Sequence, residues 1–206
     1  MSRYHLPTIL TLLTLVGPAA MAETPDEAYR RLMAELKSGN AAIDFQALRS
    51  AYVKSTSYDP YGMKTTAVDI QRQKAQSCEE AIQIAESPDG QAALYGFLST
   101  RPHMMMAVCY ERLGNEPRGA FHRSVADGLL NALASTGDGK SPETAFKAIS
   151  ISEEYDLLSV LRLKVSHQSL MHKDGYAFDV FGATKQSGDS VTVYFNIDPI
   201  IAKPRW

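Results

Sequence analysis

Hydrophobic positions recur three or four residues apart over the first two thirds of the chain and at every second residue over the last third. The first spacing gathers apolar side chains on one helix face, and the second puts them on one face of a strand. Thr24, Pro25 and Glu27 open a helix with a capping hydroxyl, a proline at its first position and a carboxylate three residues beyond the cap. That helix is predicted to stop at Gly39. A second begins near Asp44 and carries Phe45, Leu48 and Tyr52 on one side, before a turn at Tyr58-Asp59-Pro60-Tyr61-Gly62. Helical spacing returns over 68–86 and 91–98, in a helix opened by Pro102 and closed at Gly114-Asn115, and in another from Pro117 to about Ala134.

Across Gly114, the residues Ala107, Tyr110, Leu113, Gly119 and Ala126 fall near the small and aromatic positions of a tetratricopeptide-like helix pair, whose small residues let two helices approach closely. The pattern covers one repeat and has no second copy. Period-two alternation follows in Leu161, Leu163 and Val165, then Tyr176, Phe178 and Val180, then Val191, Val193, Phe195 and Ile197. Turn residues at Lys173-Asp174-Gly175 and Gln186-Ser187-Gly188-Asp189 separate these runs, which predicts an antiparallel meander. Residues 146–151 fit either period, and Ser152 is placed to cap a short helix over 153–160. The expected class is α+β in one domain over 23–206, with antiparallel helices over 23–136 and a small, mainly antiparallel sheet within 143–200.

The first 22 residues stand apart. Arg3, the apolar run 6–16, Gly17-Pro18 and the small-residue tripeptide Ala20-Met21-Ala22 read as a secretory signal peptide cleaved after Ala22. The apolar run is shorter than the ~20 residues a spanning helix needs, so the expected product is periplasmic or secreted without membrane insertion. Cleavage removes Arg3 and leaves 20 basic against 23 acidic residues. This balance carries no electrostatic footprint for nucleic acid. Cys78 and Cys109 are the two cysteines; in an oxidising compartment they form a disulfide, and otherwise they are two small buried apolar groups.

Chemistry concentrates between His122 and Tyr155. Ala134 to Ser141 fits a relaxed phosphate-loop pattern, but a helix precedes it and Pro142 lacks the N–H that a phosphate cradle needs. A calcium loop counted from Asp138 puts Lys140 at the third position and no glutamate at the twelfth. His122 and Asp127, five apart on one helix, are not aimed at a common point. Glu153 and Glu154 point about 100° apart, and capping the helix dipole accounts for them without catalysis, one of them in solvent. No metal-ligand spacing is present, and no cofactor is expected.

The segments Leu48-Arg49-Ser50-Ala51-Tyr52, Tyr58-Asp59-Pro60-Tyr61, Gly128-Leu129-Leu130, Ser135-Thr136-Gly137-Asp138-Gly139 and Glu153-Glu154-Tyr155 resemble the bacterial exported family known as domain of unknown function 4919. The resemblance spans most of the chain after residue 22. It implies a helical first part and a strand-containing end, and supplies no catalytic residues. Candidate contact residues for a ligand are Arg49, Tyr52, Tyr61, His122, Asp138 and Tyr155.

Three functional readings follow. The first is a non-enzymatic binding domain for a protein or peptide partner, using the helical hairpin and the loop near Gly137. The second is a cell-envelope hydrolase with His122 as base and Asp138, Glu153 or Glu154 as acid, which requires those residues to meet in space. The third is an inhibitor or immunity-type protein with an acidic blocking loop.

Overall fold

In a computed structural model, the described residues are 22–62, 71–72, 74–96 and 98–201. The apolar run 6–16 lies outside them. The helices are α1 (Pro25–Lys37), α2 (Phe45–Lys54), α3 (Cys78–Glu86), α4 (Pro88–Gly96), α5 (Thr100–Arg112), α6 (Glu116–Ala134), α7 (Ile151–Val160) and the short α8 (Asp198–Ile201). The strands are β1 (Phe146–Lys147), β2 (Lys164–Lys173), β3 (Tyr176–Thr184) and β4 (Ser190–Asn196). The class is α+β.

Local chemistry sets most of the helix starts. Thr24 and Glu27 form a reciprocal capping box at α1, and the Asp44 carboxylate accepts from the Ala47 N–H at α2. Of the helix expected over 68–86, residues 68–70 and 73 lie outside the described residues; Ala75 is not helical, and a helix starts at Cys78, where the Ser77 hydroxyl accepts from the Glu80 N–H. The Gln91 helix begins earlier than expected, at Pro88. Helix α6 ends at Ser135 as its C-cap, and the left-handed glycine of the loop that follows is Gly139, at φ 66°.

The 19-residue α6, about 28 Å long at 1.5 Å per residue, is the spine joining the two main cores. Its Val125 and Leu129 pack with Leu36, Leu48, Tyr52 and Ile149, while Leu133 packs with Phe146, Leu157, Leu158, Phe181 and Phe195. Gly128 lets the Phe45 ring lie directly on the helix; a Cβ there would overlap it. A third cluster of Ala81, Ala85, Met106 and Tyr110 surrounds the Cys78–Cys109 disulfide, which ties α3 to α5.

The sheet runs β1-β4-β3-β2. Strands β2, β3 and β4 form the expected antiparallel meander, with Asp174 and Gly175 both at positive φ in the two-residue turn between β2 and β3. The undecided segment 146–151 divides: Phe146–Lys147 pairs in parallel with β4, matching Phe146 to Phe195, and α7 follows from Ile151. Leu161 and Leu163, expected in a strand, precede β2 instead; Leu161 is the C-cap of α7. Alternation of three residues could not distinguish a helix stop from a strand start. Among the described residues, no helix is long and apolar enough to cross a membrane.

Candidate functional site

The first turn of α7 uses its acids internally. Ser150, not Ser152, caps the helix by accepting from the Glu153 N–H at 3.3 Å, and the Glu153 carboxylate accepts from the Ile149 N–H at 2.9 Å. Arg49 on α2 then donates from Nε to Glu153 Oε1 at 2.9 Å, from Nη2 to Oε2 at 2.8 Å, and from Nη2 to the Lys147 carbonyl at 2.9 Å. Tyr58 donates to the Ile149 carbonyl at 2.7 Å. Four side chains thus hold the passage from β1 into α7. Arg49 and Glu153 are both buried, and Tyr52 is buried with its hydroxyl bonded to the Asp59 backbone.

Glu154 is fully buried, with no N–H, hydroxyl or cationic donor on either carboxyl oxygen and the Asp179 carboxylate as its polar neighbour. Burial, followed by the neighbouring Asp179 carboxylate, pushes its pKa up to about 9, so it is a neutral acid at pH 7. Asp179 is itself raised by burial and accepts from Gln168 Nε2 at 2.8 Å; Gln168 Oε1 accepts from the exposed Tyr155 hydroxyl at 2.8 Å. The pair can share one proton, held on Glu154. The expectation that one of Glu153 and Glu154 sits in solvent is therefore corrected: the α7 turn lies between α2 and the sheet, and both are enclosed.

His122 meets His103, which the sequence reading did not single out. Their Nδ1 atoms are 3.0 Å apart, and His103 Nε2 lies 3.3 Å from the Leu94 carbonyl oxygen. That oxygen can only accept, so His103 carries its proton on Nε2 and accepts at Nδ1 from His122. Burial holds His103 down to about 3 and His122 down to about 4, keeping both neutral. The His122 ring stacks on Tyr110 at 5.5 Å. A neutral imidazole packed between rings and 1% exposed has no route to a substrate.

Asp138 is exposed and organises its loop. Its Oδ1 accepts from the Lys140 N–H and the Thr144 hydroxyl at 3.0 and 2.6 Å, which with Lys140 holds its pKa down to about 2. The Asp138 and Gly139 N–H groups both donate to the Thr144 carbonyl, and Tyr194 on β4 donates to the Gly139 carbonyl at 2.9 Å. Gly139 sits under the Phe146 ring with no room for a Cβ. The loop is thereby pinned to the sheet as one wall of a groove of about 710 Å³. Phe146, Leu163, Val191 and Val193 give this groove an apolar lining, and Lys140, Arg162 and Lys185 give it three cations.

Arg162 is the unusual member. The turn after α7 closes with Leu163 N–H to Leu158 carbonyl and Arg162 N–H to Ser159 carbonyl bonds, each 3.0 Å, which places Arg162 at the left-handed position where helices usually have glycine. Its φ is 54°. Asp174 is the other non-glycine residue at positive φ among the described residues, and it occupies a hairpin turn that suits aspartate. The signal available in the sequence was a helix ending in Leu161-Arg162-Leu163 with no glycine.

The four candidate catalytic residues do not converge. Asp138 lines the groove without His122, Glu153 or Glu154; His122 belongs to the α5–α6 hairpin, Glu153 to the Arg49 clamp, and Glu154 to the sheet contact. Tyr61 is exposed in its turn. The described residues bring no three His, Cys, Asp or Glu side chains together in a metal-binding group. At family level the decisive match is the domain of unknown function DUF4919, over residues 21–205. The chain belongs to this family. No curated protein and no solved structure matches it significantly. As a family member, it offers the groove with Arg162 as its candidate ligand site.

Proposed function

We propose that the protein is an exported, non-enzymatic domain that holds an extended segment of a protein or peptide partner in the groove beside Gly139. The observation that carries this reading is Arg162: a backbone position where arginine costs roughly 1–2 kcal/mol more than glycine places a cation at the mouth of an apolar groove. Strain of this kind persists where the side chain serves a purpose. Neither Arg162 nor Lys185 has a carboxylate partner among the described residues, so both face an incoming acid. The groove volume is in the range of pre-formed ligand sites. The segment it favours has apolar side chains for the lining and an acidic group for the rim.

Export is supported by the apolar run behind Arg3 and by the Cys78–Cys109 disulfide, a bond that persists in oxidising compartments. The close α5–α6 hairpin fits a tetratricopeptide-like pair. The hydrolase reading has less support, because His122 and the acids it would need occupy separate surroundings. The test is a photo-crosslinking amino acid at the exposed groove position Thr192, expressed in the native host. A discrete partner trapped there, and lost with Arg162→Glu combined with Lys185→Glu, supports the proposal; equal trapping by those variants sinks it.

A further inference from the structure

Beyond the groove, the outer edge of β2 is a second surface with its own selectivity. β2 is the last strand of the sheet, and nine of its ten residues pair on one side with β3, from Lys164 opposite Thr184 to Lys173 opposite Tyr176, with Ser166 skipped at a register shift. No described strand lies beyond it. Eight of its ten residues are exposed, with Leu170 at 59% near the middle. A long open edge offers alternate backbone N–H and C=O groups to any extended chain, and folded proteins usually guard such edges.

The guards on β2 indicate what they admit. The strand carries Lys164, His167, His172 and Lys173 and no acid over 164–173. Lys173 makes a solvent-exposed ion pair with Glu143 in the 3₁₀ turn Pro142–Thr144, which offsets its charge only in part. Antiparallel pairing with a second copy over the whole strand would set Lys164 against Lys173, a like-charge contact that opposes self-association. The register shift between Val165 and His167 bends one end and leaves 167–173 as the regular stretch. An acidic strand meets attraction where a second copy meets repulsion.

We propose that the outer edge of β2 takes up an acidic, extended segment of a partner protein as a fifth strand of the sheet. Main-chain hydrogen bonds along 167–173 supply the pairing, Leu170 supplies an apolar contact, and the two lysines at the ends of a strand without acids supply the preference for acid. This surface is independent of the groove, whose lining includes no residue of β2.

The probe is a blocked nine-residue peptide of alternating glutamate and valine, with the lysine–valine peptide as its counterpart. The protein is the chain from residue 23, its amides followed by NMR and hydrogen exchange. Saturable binding of the acidic peptide is expected, with new protection confined to amides of 164–173. Lys164→Glu with His172→Glu should weaken it about fivefold and shift preference to the lysine peptide. N-methylation of alternate amides in the peptide should abolish binding on one of the two registers while leaving the protein untouched, which removes folding of the variants as an issue. Equal binding of both peptides overturns the proposal, as does protection centred on 191–193, or dimerisation through β2 without peptide. Arg162→Glu with Lys185→Glu should leave edge binding unchanged, so a failure of the edge and a failure of the groove read out separately.

Discussion

Arg49 and Glu153, 104 residues apart in the chain, form a two-pronged ion pair at 2.9 and 2.8 Å with each side chain 4% exposed. The pair fastens α2 to the start of α7. Removing one partner leaves a buried charge, so Arg49→Met and Glu153→Gln should each cost about 3–5 kcal/mol. The double variant should cost clearly less than the sum of the two. Urea denaturation of the three variants measures this; strict additivity would mean that the pair is not coupled.

Glu154 should work against stability at neutral and alkaline pH. Its folded-state pKa of about 9 lies above the ordinary 4.5, so the folded chain holds a proton that the unfolded chain releases. The stability it contributes is complete below pH 4.5 and is lost as pH rises toward 9. At pH 7 the deficit is ~3 kcal/mol as an upper figure, from roughly 2.5 units at 1.36 kcal/mol each. Glu154→Gln, whose amide can donate to Asp179, should therefore raise the melting temperature at pH 8 and have little effect at pH 4. A melting temperature lowered equally at both would refute the assignment.

The His103–His122 pair imposes the opposite slope on the acid side. Both folded-state values lie below 6.5, so the unfolded chain binds more protons and stability falls as pH drops from about 6.5 toward 4. Each imidazole contributes a loss of about 2 kcal/mol between pH 6.5 and pH 5. His122→Phe keeps the stack on Tyr110 and should flatten the acid limb. Thermal melts from pH 4 to 7 decide; an unchanged slope would show that the pair does not titrate with unfolding.

Reducing the Cys78–Cys109 bond frees a loop of 31 residues in sequence separation, for which the chain-entropy relation gives roughly 3–4 kcal/mol. Cys78→Ser with Cys109→Ser should lower the urea midpoint by a corresponding amount. The Arg49 clamp and the groove lie outside the α3–α5 cluster, so amide spectra of β2 to β4 should be unaffected.

The legible parts of the sequence were those governed by neighbours in the chain. The caps at Thr24 and Asp44 and the alternation in β4 are local and appear in the fold as read, whereas in β3 Tyr176 is exposed and Ala177, Phe181 and Ala183 are buried instead, because packing against α6 and α7 decides which face turns inward. What was hidden depends on long-range encounters. Nothing near Glu153 announces Arg49, nothing near His122 announces His103, and β1 is a strand only because Phe146 meets Phe195. The burial of Glu154 follows from how α7 lies on the sheet, and its own position in an acidic helix start argued the reverse. Arg162 and Lys185 are two isolated cations that carry no pattern until folding sets them around one groove.

Arg162→Gly tests the central claim most directly, since it separates backbone cost from binding. The substitution relieves the left-handed position and should stabilise the fold by about 1 kcal/mol. It should also weaken the partner trapped at Thr192 by about tenfold, with a shallower salt dependence. Measuring the unfolding free energy and the partner dissociation constant on the same variant supplies both numbers. A variant that is more stable and binds less supports a fold that keeps strain for recognition; one that binds as tightly as the parent contradicts it.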